Sequence, residues 1–395
     1  MSRRLTVLEL RSVRGTGGGP EKTILFGAEQ RDRDRFDVLV CYLRDARDDV
    51  FGIDARAARL DVDYVEIREA HSFDRRIWPQ LKDLVRTRQI DIVHGHDYKT
   101  NLLALLLARS CAIVPLTTAH GWTGHSWRER RIYYPMDRRL AAWFPRAIAV
   151  SSDIKRQLVD RGADARRVDV ILNAIDPDAF RRSADAGAQV RSELGLASGD
   201  LLVGAVGRLE PQKRFDLLLD ASVDLCRANP HVHLAIVGDG SLRSALQAQI
   251  DGLGLGRRLR LLGHRDDIRE LHSAFDLFVQ ASEYEGTPNA VLEAMAMETP
   301  LIATDVGGTS EIARPDVDGL IVPAHDVPAL ARAMTTAVAD PAGATRRAAS
   351  ARARVESELS FSRRTRRLED IYEQIAGARI SGPALAPAVG RVPHA

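Results

Sequence analysis

Cysteine is scarce in the sequence, which has three, Cys41, Cys111 and Cys226, and no CxxC pair. They lie far apart, each within an apolar stretch, and this argues against a disulfide framework and against a structural zinc site. We therefore expect reduced, buried thiols in a cytoplasmic protein.

An excess of charge of one sign is also missing. The 56 Lys and Arg residues nearly balance the 54 Asp and Glu residues, which leaves a net charge of +2. This balance excludes a polybasic nucleic-acid binder as the default, and we expect no nucleic-acid partner. The hydrophobic share of 45% is enough to bury a core, so disorder is excluded as the main state.

Long hydrophobic runs are absent. The longest, residues 102–108, ends at Arg109, whereas a membrane-spanning helix needs roughly 20 apolar residues. The start, MSRRLTVLELRSV, lacks the continuous apolar segment of a secretory signal.

Short apolar segments alternate with segments of helical periodicity along the chain. The first half is predicted to hold strands at 5–10, 37–43, 62–67, 90–94, 114–119, 147–150 and 168–171. The second half is predicted to hold strands at 201–206, 233–237, 259–262, 276–280, 301–304 and 319–322. This alternation predicts an α/β protein with βαβ units, parallel sheets and two Rossmann-like halves.

Between the halves, residues 180–199 are rich in Ala, Gly, Ser, Asp and Arg, with one short helical piece near 190–194, and we interpret them as the linker and entry to a second domain. A last helix is predicted over 362–376. The final residues are small, Pro-rich and aperiodic, which predicts disorder.

A glycine-rich loop, residues 14–22, leaves the first strand and enters a helix. Backbone N–H groups at such a place can hold a phosphate. Pro20 stands where the dinucleotide fingerprint needs its last glycine, and no Gly-Lys-Ser/Thr follows. The loop therefore indicates an anionic ligand without naming it, and a flexible surface turn is the alternative.

Two histidine segments follow predicted strands. His120 ends the strand at 114–119, where ligands bind in open α/β sheets. In His94-Gly95-His96-Asp97 the two histidines would point to opposite faces if the strand continued, so we favour a polar strand end over a metal site.

Arg208 and Lys213 bracket a turn after the first strand of the second half. Two fixed cations beside a helix N-terminus can clamp a diphosphate without a metal. Gly238 lies in a strand-to-helix turn that we interpret as structural, with a supporting role at the site.

The segment from Glu285 to Glu293 is the most specific motif. Thr287 suits an N-cap and Pro288 the first helical position, with one carboxylate before the helix and one about two turns into it. Carboxylates form paired hydrogen bonds with sugar hydroxyls, so this arrangement suits a nucleotide sugar.

In this order the motifs resemble the family 4 glycosyltransferases, the retaining enzymes of the GT-B fold. The matching segments are Gly17-Gly18-Gly19-Pro20-Glu21, Thr118-Ala119-His120-Gly121, Val150-Ser151-Ser152, Asn173-Ala174-Ile175-Asp176, 207–213, Gly238-Asp239-Gly240, 285–293 and 307–311. Asn173-Ala174 stands where the family more usually has Asn-Gly, and Arg214 where it commonly has Gly.

The resemblance implies two Rossmann-like domains whose parallel sheets face each other across a cleft. An acceptor-binding domain would cover 1–178 and a nucleotide-sugar-binding domain 179–360. A helix at 361–378 would cross back to the first domain, and 379–395 would be a disordered tail.

The resemblance also implies site roles. Arg208 and Lys213 would bind the donor diphosphate, Glu293 the ribose and Glu285 the donor sugar. The expected catalytic residues are Glu285, His120, Arg208 and Lys213. The remaining donor-binding residues would be Gly17, Gly18, Gly238, His264, Arg265, Gly286, Thr287, Pro288 and Asn289, and the acceptor-binding residues Glu21, His120 and Trp122.

The implied reaction moves a hexose-type sugar from a UDP-sugar or GDP-sugar to a glycan or lipid-linked glycan in cell-surface polysaccharide biosynthesis. No divalent metal or other cofactor is expected. A nucleotide-sugar epimerase of the same architecture is the main alternative. A metal-dependent transferase would need an Asp-x-Asp, present at 61–63 and 316–318 without a supporting site, and a non-catalytic sugar-nucleotide binder is the third alternative.

Residues 127–146 hold six Arg against two acids, with five aromatics. This composition is typical of an interfacial helix on an anionic leaflet, and an ordinary half-buried helix is the alternative. Pro135 is predicted to break the helix. The segment leaves open a peripheral contact with the inner face of the cytoplasmic membrane.

Overall fold

The computed structural model describes residues 3–13, 15, 17–72, 74–122 and 127–381. The chain forms two compact units. The first comprises Met1–Ile171 and Phe361–Ala395, and the second Leu172–Ser360. The first segment of the first unit thus ends at Ile171, whereas the sequence predicts a boundary at residue 178.

The first unit is built on a seven-stranded, wholly parallel sheet in the order β3-β2-β1-β4-β5-β6-β7. Its strands are β1 (Leu5–Val13), β2 (Phe36–Asp45), β3 (Asp63–Glu69), β4 (Ile92–Gly95), β5 (Val114–Ala119), β6 (Arg146–Ala149) and β7 (Val168–Val170). The helices between them are α1 (Gly19–Glu29), α2 (Ile53–Ala57), α3 (Ile77–Thr87), α4 (Tyr98–Ser110), α5 (Tyr134–Leu140) and α6 (Ser152–Val159).

The second unit is built on a six-stranded parallel sheet in the order β10-β9-β8-β11-β12-β13. Its strands are β8 (Leu201–Val206), β9 (Val232–Val237), β10 (Leu259–Gly263), β11 (Leu277–Gln280), β12 (Leu301–Thr304) and β13 (Leu320–Val322). Its helices are α7 (Ala184–Glu193), α8 (Phe215–Ala228), α9 (Arg243–Leu253), α10 (Ile268–Ala274), α11 (Asn289–Ala296), α12 (Thr309–Ile312), α13 (Val327–Ala339) and α14 (Pro341–Glu358). The two parallel sheets confirm the predicted α/β fold class.

The predicted linker at 180–199 is wrong. Helix α7 occupies most of it, and Val190 and Leu194 are buried in the core of the second unit. Gly187 lets α7 approach α10, because a Cβ there would lie 2.5 Å from the carbonyl oxygen of Ser273. The segment is poor in large apolar residues because its contact is made by small ones.

Helix α15 (Phe361–Ser381) belongs to the first unit. Leu368, Ile371, Tyr372 and Ile375 are buried there, in the core that also holds Val7 of β1. Residues 379–381 of the predicted disordered tail are helical, and 382–395 lie outside the described residues.

The break predicted at Pro135 does not occur. A π-helical turn, Glu129–Tyr133, leads directly into α5, and Pro135 is its second residue. The wider turn lets the chain stay helical where a proline would otherwise clash with the preceding carbonyl.

All three cysteines are free, with Cys41 and Cys226 buried and Cys111 half-buried. Burial raises the pKa of the Cys41 thiol to about 12, so that thiol is inert at neutral pH. Among the described residues, no helix combines the length and apolar character needed to cross a membrane.

Candidate functional site

The loops that follow β8 to β12 carry most of the predicted binding residues. Because all these strands are parallel, their carboxyl ends meet at one edge of the sheet, where ligands of open α/β sheets bind. The motif segments at this edge are 207–214, 238–240, 263–267, 281–288 and 305–309.

The two predicted clamp cations have different surroundings. Lys213 Nζ donates a hydrogen bond to Glu285 Oε1 at 2.6 Å, and the Ser282 hydroxyl donates to the same oxygen at 2.7 Å. Arg208 is exposed, and its guanidinium forms no hydrogen bond or ion pair with a described residue. One cation is therefore held in place by a carboxylate, and the other is available to an anionic ligand.

Arg214 adopts φ +48°, the left-handed conformation that favours glycine. This explains why the family commonly has Gly at that place. Its guanidinium is bonded to Asp216 on the following helix.

Glycine is needed at this edge because loops touch backbone to backbone. Gly238 has φ +141°, and a Cβ there would lie 1.9 Å from the carbonyl oxygen of Gly207. Gly307 has φ +55°, and its Cβ would lie 2.0 Å from the carbonyl oxygen of Glu285. The glycine turns thus hold Arg208 and Glu285 on adjoining loops.

The start of α11 differs from the prediction. The N-cap is Pro288, not Thr287, and no side chain caps this helix end. The Thr287 hydroxyl instead accepts from the backbone N–H of Asn173 at 3.3 Å, and the Asn173 amide donates to Asn289 Oδ1 at 3.2 Å. Sequence reasoning missed this role of Asn173, although the residue lies in a family motif.

Glu293 is buried on α11, where it lies about one turn from the helix start at Asn289, less than the two turns that the sequence predicts. His264 and Arg265, predicted to lie at the nucleobase, follow β10. The His264 ring is exposed beside Asp266, and the Arg265 guanidinium is bonded to Asp267 and to Glu193.

In the first unit, Glu21 fixes the glycine-rich loop. Its buried carboxylate is bonded to the Arg11 guanidinium and accepts from the backbone N–H of Gly18. Burial raises the pKa of Glu21, but Arg11 lowers it below its ordinary value. Gly17 packs on Glu21 with φ +69°, while the backbone at Gly17 and Gly18 is exposed. Contact of Glu21 with an acceptor stays a prediction.

Trp122, also predicted at the acceptor, is anchored by α5. Its indole N–H donates to Asp137 Oδ2 at 2.9 Å, and the Arg138 guanidinium lies 4.3 Å from the centre of its ring. Asn101 of α4 donates to the other oxygen of the buried Asp137 at 2.8 Å.

Next to the glycine loop, β1, β4, β5 and α15 bring together a buried polar cluster. His96 Nδ1 lies 2.9 Å from His120 Nε2, and His96 Nε2 is bonded to Glu9 Oε2. The Tyr372 hydroxyl donates to Glu9 Oε1 at 2.6 Å and lies 2.9 Å from His94 Nδ1. The predicted sugar-pocket residue His120 is therefore the outer member of a continuous network.

The expectation that His94 and His96 face opposite ways is wrong. Side chains two positions apart in a strand lie on the same face, and the two rings lie 4.3 Å apart where β4 ends at Gly95. Sequence reasoning missed Glu9 and Tyr372. A carboxylate in the middle of the apolar strand β1 was the available signal for Glu9.

The pKa values of Glu9, His96 and His120 in this cluster are all lowered. Burial would raise the pKa of Glu9, but His94 and His96 lower it well below its ordinary value. Burial lowers the pKa of His96 to about 4 and that of His120 well below its ordinary value. At neutral pH we therefore expect an ionised Glu9 and neutral His96 and His120.

Glu9, His94 and His96 offer ligand atoms within 4.8 Å of one another, the one such group among the described residues. Each of these atoms already takes part in a hydrogen bond or close ion pair with another protein group. The positive charge of the buried Arg364 guanidinium also interacts with the carboxylate of Glu9. The ligand atoms of these three residues are therefore already paired within the protein.

The Asp-x-Asp pairs give no metal site. Asp318 is fully buried and bonded to Arg314 and to Ser350, which hold its pKa at about 2 against the effect of burial. Asp61 and Asp63 are ion-paired with arginines from other elements.

Two family models match the chain. The model described as Glycosyltransferase Family 4 matches residues 17–179, and the model described as Glycosyl transferases group 1 matches residues 188–356. Together they span both sets of loops.

Among curated relatives, the UDP-Gal:alpha-D-GlcNAc-diphosphoundecaprenol alpha-1,3-galactosyltransferase of Escherichia coli is 27% identical, over 74% of this chain and 77% of that protein. The lipopolysaccharide core biosynthesis mannosyltransferase LpsB of Rhizobium meliloti is 30% identical, over 52% of this chain and 60% of that protein. These relatives are transferases, so they lend no support to an epimerase.

Among solved structures, Anabaena Alr3699/HepE in complex with UDP matches with a TM-score of 0.81 at 21% identity, over 94% of this chain and all of that one. A cyanobacterial sucrose-phosphate synthase from Thermosynechococcus elongatus matches with a TM-score of 0.80 at 21% identity, over 95% of this chain and all of that one. The likeness confirms the GT-B fold.

Proposed function

Because this chain belongs to the group 1 glycosyltransferases of family 4, we propose that it moves a hexose-type sugar from a UDP-sugar or GDP-sugar to a hydroxyl group of a lipid-linked or growing cell-surface glycan. The observation that carries this proposal is the exposed Arg208 beside the Lys213–Glu285 ion pair at the binding edge of the second unit. The names of the relatives, which include a UDP-galactose transferase to a diphosphoundecaprenol-linked acceptor, support the substrate class.

In the proposed complex, Arg208 and Lys213 bind the donor diphosphate. The ammonium of Lys213 can donate to a phosphate oxygen while it stays bonded to Glu285, since it carries three N–H groups. Glu285 bonds the hydroxyls of the donor sugar and Glu293 those of the ribose. His120 of the first unit contacts the sugar.

The chemistry follows from where charge develops. When the bond between the anomeric carbon and the diphosphate breaks, the carbon gains oxocarbenium character and the leaving oxygen gains negative charge. Arg208 and Lys213 stabilise that charge without a divalent metal. The acceptor hydroxyl enters from the face that the diphosphate leaves, gives its proton to the leaving phosphate, and the anomeric configuration is retained.

The decisive test is Arg208→Ala. We expect kcat to fall by at least ~10²-fold, because a fixed cation aimed at the leaving group is removed. Arg227→Ala is the matched control, since Arg227 is an exposed arginine of the same unit on α8. The assay measures nucleoside diphosphate release from UDP-glucose, UDP-galactose and GDP-mannose, with and without EDTA.

A near-normal rate for Arg208→Ala would overturn the electrostatic account. Full inhibition by EDTA would overturn metal independence, and an inverted anomeric signal in the NMR spectrum of the product would overturn retention.

We also propose that the first unit contacts an anionic membrane surface. Of the eight large apolar side chains that are exposed in the described part of the chain, six lie on α4 or between residues 127 and 143: Leu102, Leu106, Trp127, Ile132, Met136 and Trp143. Exposed arginines at 128, 131 and 139 accompany them. Exposed aromatic and apolar side chains with arginines suit an anionic leaflet, where a lipid-linked acceptor would lie.

A further inference from the structure

The hydrogen bonds that surround Glu9 have a defined direction. An ionised carboxylate can only accept hydrogen bonds, so the groups bonded to it must donate. The Tyr372 hydroxyl donates to Oε1, and His96 donates to Oε2 from Nε2. The single proton of a neutral His96 is therefore on Nε2.

This fixes the other nitrogen of His96 as an acceptor. His96 Nδ1 carries a lone pair and lies 2.9 Å from His120 Nε2. His120 must therefore donate from Nε2, since two bare nitrogens would repel each other. The ionised carboxylate of Glu9 therefore sets the tautomer of His96, and His96 sets that of His120.

The remaining nitrogen of His120 is left bare. Burial lowers the pKa of His120 well below its ordinary value, an effect strengthened by His96 and by the Arg11 and Arg364 guanidinium groups. Its one proton is used on Nε2. Nδ1 is buried and has no hydrogen-bond partner among the described residues. An unpaired buried acceptor is destabilising, and a ligand that pairs it would recover that loss.

We propose that Glu9, His96 and Tyr372 form a positioning chain that holds His120 in a single tautomer, so that its bare Nδ1 accepts a hydrogen bond from a hydroxyl group of the bound substrate. The inference rests on the proposed function, which places a sugar hydroxyl beside His120. It assigns His120 the role of a neutral acceptor, which recognises an O–H group and does not bind a phosphate.

The chain also gives the last helix a part in the site. Tyr372 is fully buried on α15 and is separated from Glu9 by 363 positions in the sequence. Its hydroxyl holds the carboxylate from the side opposite His96. Removal of that hydroxyl frees Glu9 to rotate and loosens the rings that follow.

The first test reads the tautomers directly. Full-length protein labelled with ¹⁵N-histidine is examined by long-range ¹H–¹⁵N correlation NMR at pH 7, and the signals are assigned by their loss in His96→Gln and His120→Gln. We expect the proton on Nε2 in both rings and an unprotonated Nδ1 in His120. A proton on His120 Nδ1 overturns the proposal whatever the protein catalyses.

The second test breaks the chain at a distance. In Glu9→Gln and Tyr372→Phe we expect His120 to show mixed tautomers and kcat to fall roughly tenfold, with KM for the donor unchanged. The matched control is Tyr42→Phe, because the Tyr42 hydroxyl is buried in the same unit and has no hydrogen-bond partner among the described residues. The donors are UDP-glucose, UDP-galactose and GDP-mannose.

The outcomes separate the two proposals. Unchanged tautomers or unchanged kcat in both variants overturn the positioning chain while the transferase activity stands. If wild-type protein turns over none of the donors but keeps the expected tautomers, the proposed function fails and the assignment of the bare nitrogen survives. Should Glu9→Gln fail to fold, Tyr372→Phe and the wild-type spectrum still decide the matter.

Discussion

At the carboxyl edge of the sheet in the second unit, some positions require glycine because two loops approach each other closely. Gly307 illustrates this, because its left-handed conformation brings it against the carbonyl oxygen of Glu285. The neighbouring Gly308 N–H donates to the carbonyl oxygen of Gly286 at 2.7 Å. The glycine turn at 307–308 is therefore a packed contact between two loops.

We expect Gly307→Ala to lower the free energy of unfolding and to weaken donor binding, since its Cβ would lie 2.0 Å from that carbonyl oxygen and displace Glu285. Gly254→Ala is the matched control, because Gly254 has φ +67° and nothing within 4 Å of the added Cβ. It should cost only the left-handed strain of about 1 kcal/mol. Thermal unfolding with and without UDP or GDP measures both effects, and equal losses would contradict the role of the close contact.

Protonation of His96 should make stability depend on pH. Burial lowers its pKa to about 4, so the ring stays neutral in the folded protein while the unfolded chain binds a proton near pH 6.5. Between those values the unfolded state binds more protons, and the free energy of unfolding therefore falls as the pH falls.

We expect His96→Gln to lose less stability than wild type between pH 7 and pH 5, by up to about 1.4 kcal/mol per pH unit below 6.5. The exposed His231→Gln is the control and should follow wild type. Denaturant unfolding at the two pH values measures the difference between wild type and His96→Gln. Parallel pH profiles for wild type and His96→Gln would show that His96 is protonated alike in both states.

At the scale of elements, the strands were predictable and the helices made of small residues were not. Both faces of a parallel sheet are buried, so its strands stand out as short apolar runs. All thirteen predicted strands are present, three with the predicted ends and ten with shifted ends. Helices α7 and α14 are rich in Ala and Arg and pack through Gly187, Ala348 and Ala351. A pattern of large apolar residues does not report such contacts.

The candidate site shows the same division. Its loops could be placed from the sequence because each follows a strand. Their partners could not, because the bonds join residues that are distant in the chain. Thr287, for instance, suits an N-cap locally, but Asn173, 114 positions away, takes its hydroxyl.

The apolar side chains exposed on α4 and along 127–143 should decide membrane contact. We expect the full-length protein to float with vesicles of phosphatidylcholine containing about one third phosphatidylglycerol, and less with phosphatidylcholine alone. Trp127→Ala/Trp143→Ala should reduce flotation. Val50→Ala/Val317→Ala removes two other exposed apolar side chains and is the control. Equal flotation of the two double variants, or none in wild type, would contradict the membrane proposal.

At the scale of the whole molecule, the two units differ in the number of chain segments that form them. The second is one continuous stretch, Leu172–Ser360, and holds Arg208, Lys213, Glu285 and Glu293. The first needs α15 from the far end of the chain to complete its core.

We expect a fragment of residues 172–360 to fold alone and to be stabilised by UDP or GDP, because the four side chains proposed to hold the donor diphosphate, ribose and sugar lie within it. A ligand at 100 times its Kd should add roughly 2.7 kcal/mol to the free energy of unfolding. The same fragment with Arg208→Ala should show a smaller thermal shift. A folded fragment that neither nucleotide stabilises would move donor binding away from these residues.

The place of α15 has a consequence during synthesis. A ribosome completes residues 1–171 early, yet the buried face that Leu368, Ile371 and Tyr372 cover stays open until α15 has been synthesised. The whole second unit, Leu172–Ser360, is made in between. A product truncated before α15 lacks both the cover of that core and the hydroxyl that holds Glu9, so synthesis of α15 is a condition for the His120 network to form.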